Sequence, residues 1–312
     1  MKRLLITFAQ NHDWEGLKLA LKRSTMGINE TNTQMQTCLH FATAANEWAA
    51  AKLLIQNGAI LDMQGNVSSP MHLLAASVNC SDEEVWKLYL DRVTDINTTN
   101  NLGFTVLMEA AKNSSTGLST KRRLELILEH PVHGPRVNLM AKDYNGRTIL
   151  HHVAERTGGL DSIEYLVNKG ISVNETASAA HTPLMIAVDN NLPLNVQKLC
   201  ELKANVDQKD SEGWTALHHA IGRGGFDECI RVLIEFKADI TLKNNATQDV
   251  VQFAKLRGQV RLLPLLIGEE TQQPPIVANP SNPNDPPAPA PVPVDVTMKK
   301  TPSDVLRIQA CM

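Results

Sequence analysis

Residues 210–221 read DSEGWTALHHAI, and the middle of that string returns along the chain as TCLHFA at 37–42, SPMHLLA at 69–75, TILHHVA at 148–154 and TPLMIA at 182–187. Paired histidines such as His218 and His219 invite a metal or catalytic reading; recurrence invites an architectural one. The spacing decides. Taking the Thr of each string as anchor gives Thr37, Ser69, Thr105, Thr148, Thr182 and Thr215, at intervals of 32, 36, 43, 34 and 33 residues. A period near 33 is the mark of stacked supersecondary units and outranks any local motif.

Each anchor is followed by two apolar, helix-like stretches, the second being AAAKLLIQNGA, SIEYLVNKGI, VQKLCELKA or CIRVLIEFKA in successive copies. The anchor hydroxyl can cap a helix N-terminus, and Pro70 and Pro183 suit the first helical turn. The Leu two residues after Thr and the Ala five after it fall on one face, where Ala permits close helix approach. A helix pair of this size cannot bury its apolar faces alone, whereas stacked neighbours can.

These strings resemble the ankyrin-repeat family, whose units run D-x-x-G-x-T-P-L-H-x-A, a helix pair, then G-A-D-V-N. DSEGWTALHHAI with KADIT (237–241), and DYNGRTILHHVA (143–154) with GISVN (170–174), carry the resemblance best; it covers residues 4–268. It implies an all-α solenoid with β-hairpin turns along one edge. We count about eight units in residues 1–270, including an N-terminal cap over 4–29 and a C-terminal cap in which Asp249 replaces the anchor Thr and Pro264 shortens or kinks the last helix. Extra residues in NSSTGLSTKRR and HPVHGPR are expected to protrude from the stack as a longer helix–helix loop and an altered hairpin approach. Residues 271–312 hold ten prolines between Pro274 and Pro302 and read as a disordered tail with polyproline character.

Composition sets the limits on function. The net charge is −3, with basic residues scattered, so no nucleic-acid or anionic-membrane face is advertised. No run approaches the length of a membrane span. Five widely spaced cysteines without a CxxC pair read as reduced thiols, which places the chain in the cytoplasm or nucleus. Neither GxSxG, HExxH nor a phosphate loop occurs, and Gly222-Arg223-Gly224-Gly225 reads as a helix–helix turn, so no enzyme and no cofactor is expected. The pairs His151-His152 and His218-His219 sit two units apart, about 20 Å at helix-packing distances, too far to share a metal. The family instead uses the first His of each motif to lock successive units.

What remains is a surface for protein partners, presented by a monomer. In the family, binding residues lie just before the anchor and at the end of the first helix. Before the anchors stand Phe104, Arg147, His181 and Trp214; two positions earlier stand Leu102, Asn145 and Glu212, with Tyr144 beside them and Arg223 at a first-helix end. Aromatic residues and Arg dominate interface energetics, although Phe104 and Trp214 could equally pack on a neighbouring unit. Trp14, Trp48 and Trp86 fall within helices and read as core or helix flank. Asn29, Asn97 and Asn174 occupy the last position of the G-A-D-V-N turn, where members of the family can be hydroxylated; a side chain bonding its own turn is the simpler reading. Thr301 precedes Pro302 as a candidate phosphorylation site. Two sharper functions fit the same frame: a regulator resembling the NF-κB inhibitors, and a pathogen effector that mimics host ankyrin proteins.

Overall fold

The structure is a computed structural model and describes residues 4–63, 68–112, 117–224 and 226–267. Sixteen α-helices are present among the described residues, arranged as eight antiparallel-type pairs along the chain. They are α1 (Leu4–Gln10) with α2 (Trp14–Arg23), α3 (Cys38–Ala44) with α4 (Trp48–Gln56), α5 (Pro70–Ala76) with α6 (Glu83–Leu90), and α7 (Val106–Lys112) with α8 (Thr120–Leu128). Then follow α9 (Ile149–Ala154) with α10 (Leu160–Asn168), α11 (Pro183–Asp189) with α12 (Pro193–Glu201), α13 (Ala216–Arg223) with α14 (Asp227–Glu235), and α15 (Val250–Leu256) with α16 (Leu263–Ile267).

Local chemistry starts each first helix where the anchor stands. Thr37, Ser69, Thr148, Thr182, Thr215 and Asp249 are N-caps, and the Thr105 hydroxyl accepts the Met108 N–H at 3.3 Å. The helices are too short to be stable alone and are held by packing. First helices contact first helices of adjacent units, and second helices contact second helices, so one continuous core of Leu, Ile, Val, Ala and Met runs down the stack. Leu39, Leu150 and Leu217, two residues after their anchors, and Ala42, Ala187 and Ala220, five after, are fully buried. Trp86 is in the core, while Trp14 and Trp48 lie half-buried against it. In the last unit Pro264 stands in the first turn of the five-residue α16, after a 3-10 turn over Val260–Leu262.

Among the described residues the turns along the edge hold no strands beyond a single antiparallel bridge, Thr99 with Thr105. Three expectations need correction. The segment STKRR is not loop: Ser119 caps α8 by accepting the Arg122 N–H at 3.1 Å, and the rest is helix. HPVHGPR folds back rather than protruding. His130 and His133 are buried with rings stacked at 5.0 Å, and His130 Nε2 lies 3.2 Å from Asp91 of the preceding unit. Gly222 and Arg223 close the last turn of α13, and the turn falls on Gly224 at φ +71°. The Pro-rich tail and Thr301 lie outside the described residues.

Candidate functional site

The edge of the stack is built from the turns that precede each first helix. Asn100, Asp143, Asp210 and Asn244 open these turns; a side-chain oxygen of each of the first three accepts two backbone N–H groups within its own turn, and that of Asn244 accepts the Gln248 N–H. Successive tips are then tied to each other: Tyr144 N–H donates to Leu102 O at 3.4 Å, Ser178 to Asn145 O at 2.9 Å, Ser211 to Ala179 O at 2.9 Å and Asn245 to Glu212 O at 3.0 Å. Gly103 is required here. Its φ is +77°, and a Cβ would meet the Tyr144 ring at 2.7 Å. Tyr144 therefore lies across the neighbouring tip, 75% exposed, beside Leu102 at 49%.

A second regularity sets what the pre-anchor residues can do. Each aromatic one packs edge-on against the residue four after the anchor in the next unit: Phe104 on His152 at 5.0 Å, His181 on His219 at 5.2 Å and Trp214 on Phe253 at 5.1 Å. Phe104 is consequently buried, with Lys112 Nζ 4.6 Å above its ring, and it is removed from the partner surface proposed from sequence. Trp214 and His181 are half-buried. Arg147 is also half-buried and is paired with Glu155 at 3.0 Å. Asn145, Glu212 and Arg223 are exposed, so Leu102 and Tyr144 with these three make the accessible part of the set.

Behind the tips lies a row of buried polar pairs. Glu109, His152 and His219, each four after its anchor, bond the first residue of their own turn: Asn100 Nδ2 donates to Glu109 at 2.7 Å, while His152 and His219 lie 3.1 and 3.0 Å from Asp143 and Asp210. Burial pushes the Glu109 carboxyl up. His219 is also 3.1 Å from Asp189, which holds Arg223 Nε at 3.1 Å. Burial opposes the charge on His219, but the hydrogen bonds and charges of Asp189 and Asp210 outweigh it and hold the imidazole above its ordinary value. Burial likewise works against the Asp189 carboxylate, yet His219 and Arg223 draw its pKa down to about 2. Sequence reasoning missed Asp189, Glu155 and Lys112; Asp and His at a separation of nine in two units was the available signal.

The asparagines of the G-A-D-V-N turns bond the next unit, not their own. Asn29 Oδ1 accepts from Ile60 N at 2.8 Å, Asn97 Oδ1 from Asn138 N at 2.8 Å and Asn174 Oδ1 from Asn205 N at 2.8 Å. Asp62 and Asp207 do the same for Thr94 and Asp239, at 2.9 and 2.8 Å. An enzyme acting on Asn29 or Asn97 has to break an inter-unit bond on each side of the amide, since Nδ2 donates to Gly58 O and Arg136 O. Cys38, Cys80, Cys200 and Cys229 are free and buried, their thiols pushed by burial to about 12, 11, 12 and 11, which does not suit a nucleophile. No helix among the described residues is long and apolar enough to cross a membrane.

Capped helix pairs at a 33-residue period, joined tip to tip through an edge of reverse turns, define a repeat protein built for protein–protein interaction. The chain belongs to the ankyrin-repeat family, whose model (ankyrin repeats, three copies) matches residues 71–177 and 176–244. It is 28% identical over 233 residues to the mouse B-cell lymphoma 3 protein homolog, covering 73% of this chain and 50% of that protein. It is 29% identical over 188 residues to the chicken nuclear factor NF-κB p105 subunit, covering 59% of this chain and 18% of that one. Among solved structures it resembles the ankyrin repeat domain of Bcl-3, described as a unique member of the IκB family, with TM-score 0.59 and 26% identity over 73% of this chain and 98% of that one. The chain spans about half the length of the B-cell lymphoma 3 proteins it matches.

Proposed function

We propose that the chain is a non-enzymatic adaptor that holds a partner protein against the turn tips and the concave side of its first helices. The observation that carries this is the pair Leu102 and Tyr144, two large apolar side chains exposed side by side on tips that the backbone bond between them holds in place. Rigid display of such side chains lowers the ordering cost of binding, and Tyr is among the residues that dominate interfaces. Asn145, Glu212 and Arg223 supply a polar rim. Trp214, Arg147 and His181 contribute only their exposed edges.

Partner affinity of the double variant Leu102→Ala/Tyr144→Ala tests the surface. Affinity is expected to fall at least about tenfold with unfolding midpoint unchanged, since truncating such anchors costs more than about 1 kcal/mol. Phe104→Ala is the control: removing a buried Phe costs about 3–5 kcal/mol of stability. Loss of binding only in proportion to lost folding would remove the tips from the site.

Resemblance to Bcl-3 across the whole of that repeat domain favours, as a second reading, an IκB-like regulator that binds a transcription factor of the NF-κB type in the cytoplasm or nucleus. Titration with purified NF-κB dimers, together with the distribution of the factor between cytoplasm and nucleus, checks it. Absence of binding would sink this reading and leave the adaptor standing.

A further inference from the structure

Three side chains from adjacent units meet at one point: His181 before the anchor of one unit, and Asp210 and His219 from the turn and first helix of the next. His219 Nε2 is 3.0 Å and His181 Nε2 is 3.4 Å from the same oxygen, Asp210 Oδ2, and the three ligand atoms all lie within 4.8 Å of one another. Tetrahedral zinc with N and O ligands at about 2.0–2.2 Å separates its ligand atoms by about 3.3 Å. Two of the three spacings already have that length. Zinc-bound histidine also characteristically directs its second ring nitrogen at a carboxylate. His219 does so, with Nδ1 3.1 Å from Asp189 Oδ1, and Asp189 is fixed in turn by Arg223. Asp210 is oriented from behind, because its other oxygen accepts the Glu212 and Trp214 N–H groups at 2.9 and 2.8 Å. Asp210 and His219 are buried, whereas the His181 side chain is 30% exposed, so solvent reaches the cluster from the His181 side.

We infer that His181, Asp210 and His219 form a zinc-binding site with two imidazoles, one carboxylate and an open fourth position. The stack contains its own control. His152 bonds Asp143 at 3.1 Å in the same geometry, but the residue placed like His181 is Phe104, which offers an aromatic edge and no ligand. The same frame with His at that place gains a third ligand.

Equilibrium dialysis of the metal-free full chain against zinc chloride, with cobalt(II) as a spectroscopic substitute, tests the site. One saturable ion per chain is expected, with cobalt giving the intense visible bands of tetrahedral nitrogen and oxygen coordination and no thiolate charge transfer. His181→Phe reproduces the packing seen at Phe104 and is expected to abolish binding while leaving the metal-free melting curve in place. Asp189→Asn, a positioning change, is expected to weaken binding about 10- to 100-fold. No saturable binding, retention of full affinity in a folded His181→Phe, or thiolate bands in the wild-type cobalt spectrum would each overturn the assignment. The first and the last hold whether or not any particular variant folds, because both are read on the native chain.

Discussion

Both ring nitrogens of His151 are committed. Nδ1 accepts the Thr148 N–H at 3.1 Å, so the proton of the neutral ring sits on Nε2 and is donated to His181 O, 3.1 Å away in the next unit. His218 repeats this with Thr215 and Gln248 O, and His72 reaches Thr98 O and Phe104 O. Protonation would turn an acceptor into a donor facing an N–H. Burial pushes these three rings down, and with them His40, whose Nδ1 accepts the Thr37 N–H at 3.0 Å: His40 and His151 to about 4, His72 and His218 in the same direction. The unfolded chain then binds more protons than the folded one between the ordinary histidine value, about 6.5, and about 4, so each group's contribution is whole above about 6.5 and is lost as pH falls. The full loss is on the order of 3 kcal/mol for His40 or His151. His219, held above its ordinary value, runs the other way: its contribution is present at low pH and is lost as pH rises through the folded value. The buried Glu109 carboxyl, also pushed up, runs the same way as His219; four against two, stability is expected to drop from pH 7 to 4.5 in urea titrations. A stability that stays level or rises over that range would show that these rings are not neutral locks.

At the scale of the unit, the ladder of turn side chains is the element that joins one helix pair to the next. It runs from Asn29 through Asp62 to Asn97 and resumes from Asn174 through Asp207. The equivalent place after the long loop holds Met140, half-exposed, whose thioether is only a weak acceptor. Asn97→Ala removes the acceptor for Asn138 N–H and the donor to Arg136 O, two exposed bonds together worth about 1–2 kcal/mol; Asn97→Asp keeps the acceptor and is expected to cost about half as much. Hydrogen exchange at residues 136–140 should rise in the Ala variant first. Identical protection in wild type and Ala would mean the ladder is ornamental. The caps of these helices were readable from sequence because Thr, Ser and Asp act on N–H groups two or three residues away. The ladder was only half readable: the amide could be seen, but its partner sits a whole unit on. The pre-anchor row was misread for the same reason. Phe104 lies beside the tips in sequence, yet its ring faces His152, 48 positions later. The meeting of His181, Asp210 and His219 escaped a count that measured only between histidine pairs two units apart, when the ligands come from neighbours.

Extensive helix contacts in the whole array fall within a unit or between adjacent units, so stability should behave as a chain of nearest-neighbour terms. Among the described residues the final pair, α15 and α16, packs against one neighbouring pair. It supplies Gln248 O to His218, the Phe253 ring to Trp214, and Arg261 to Asp227 at 2.7 Å. It leaves Lys255, Leu256 and Val260 exposed and buries Val250, Phe253, Ala254, Leu262 and Leu266. Deleting residues 244–267 therefore leaves His218 and Trp214 without their partners and opens the core of the α13–α14 pair to water. Protection against hydrogen exchange is expected to fall steeply in α13 and α14, less in α11 and α12, and to remain at its original level in α3 to α6. The graded loss follows from stacking: the disturbed unit transmits its instability only through the interface it shares with the next. If protection instead collapsed equally from α3 to α14, the array would be one cooperative block, and distant units would be coupled by more than the contacts between neighbours.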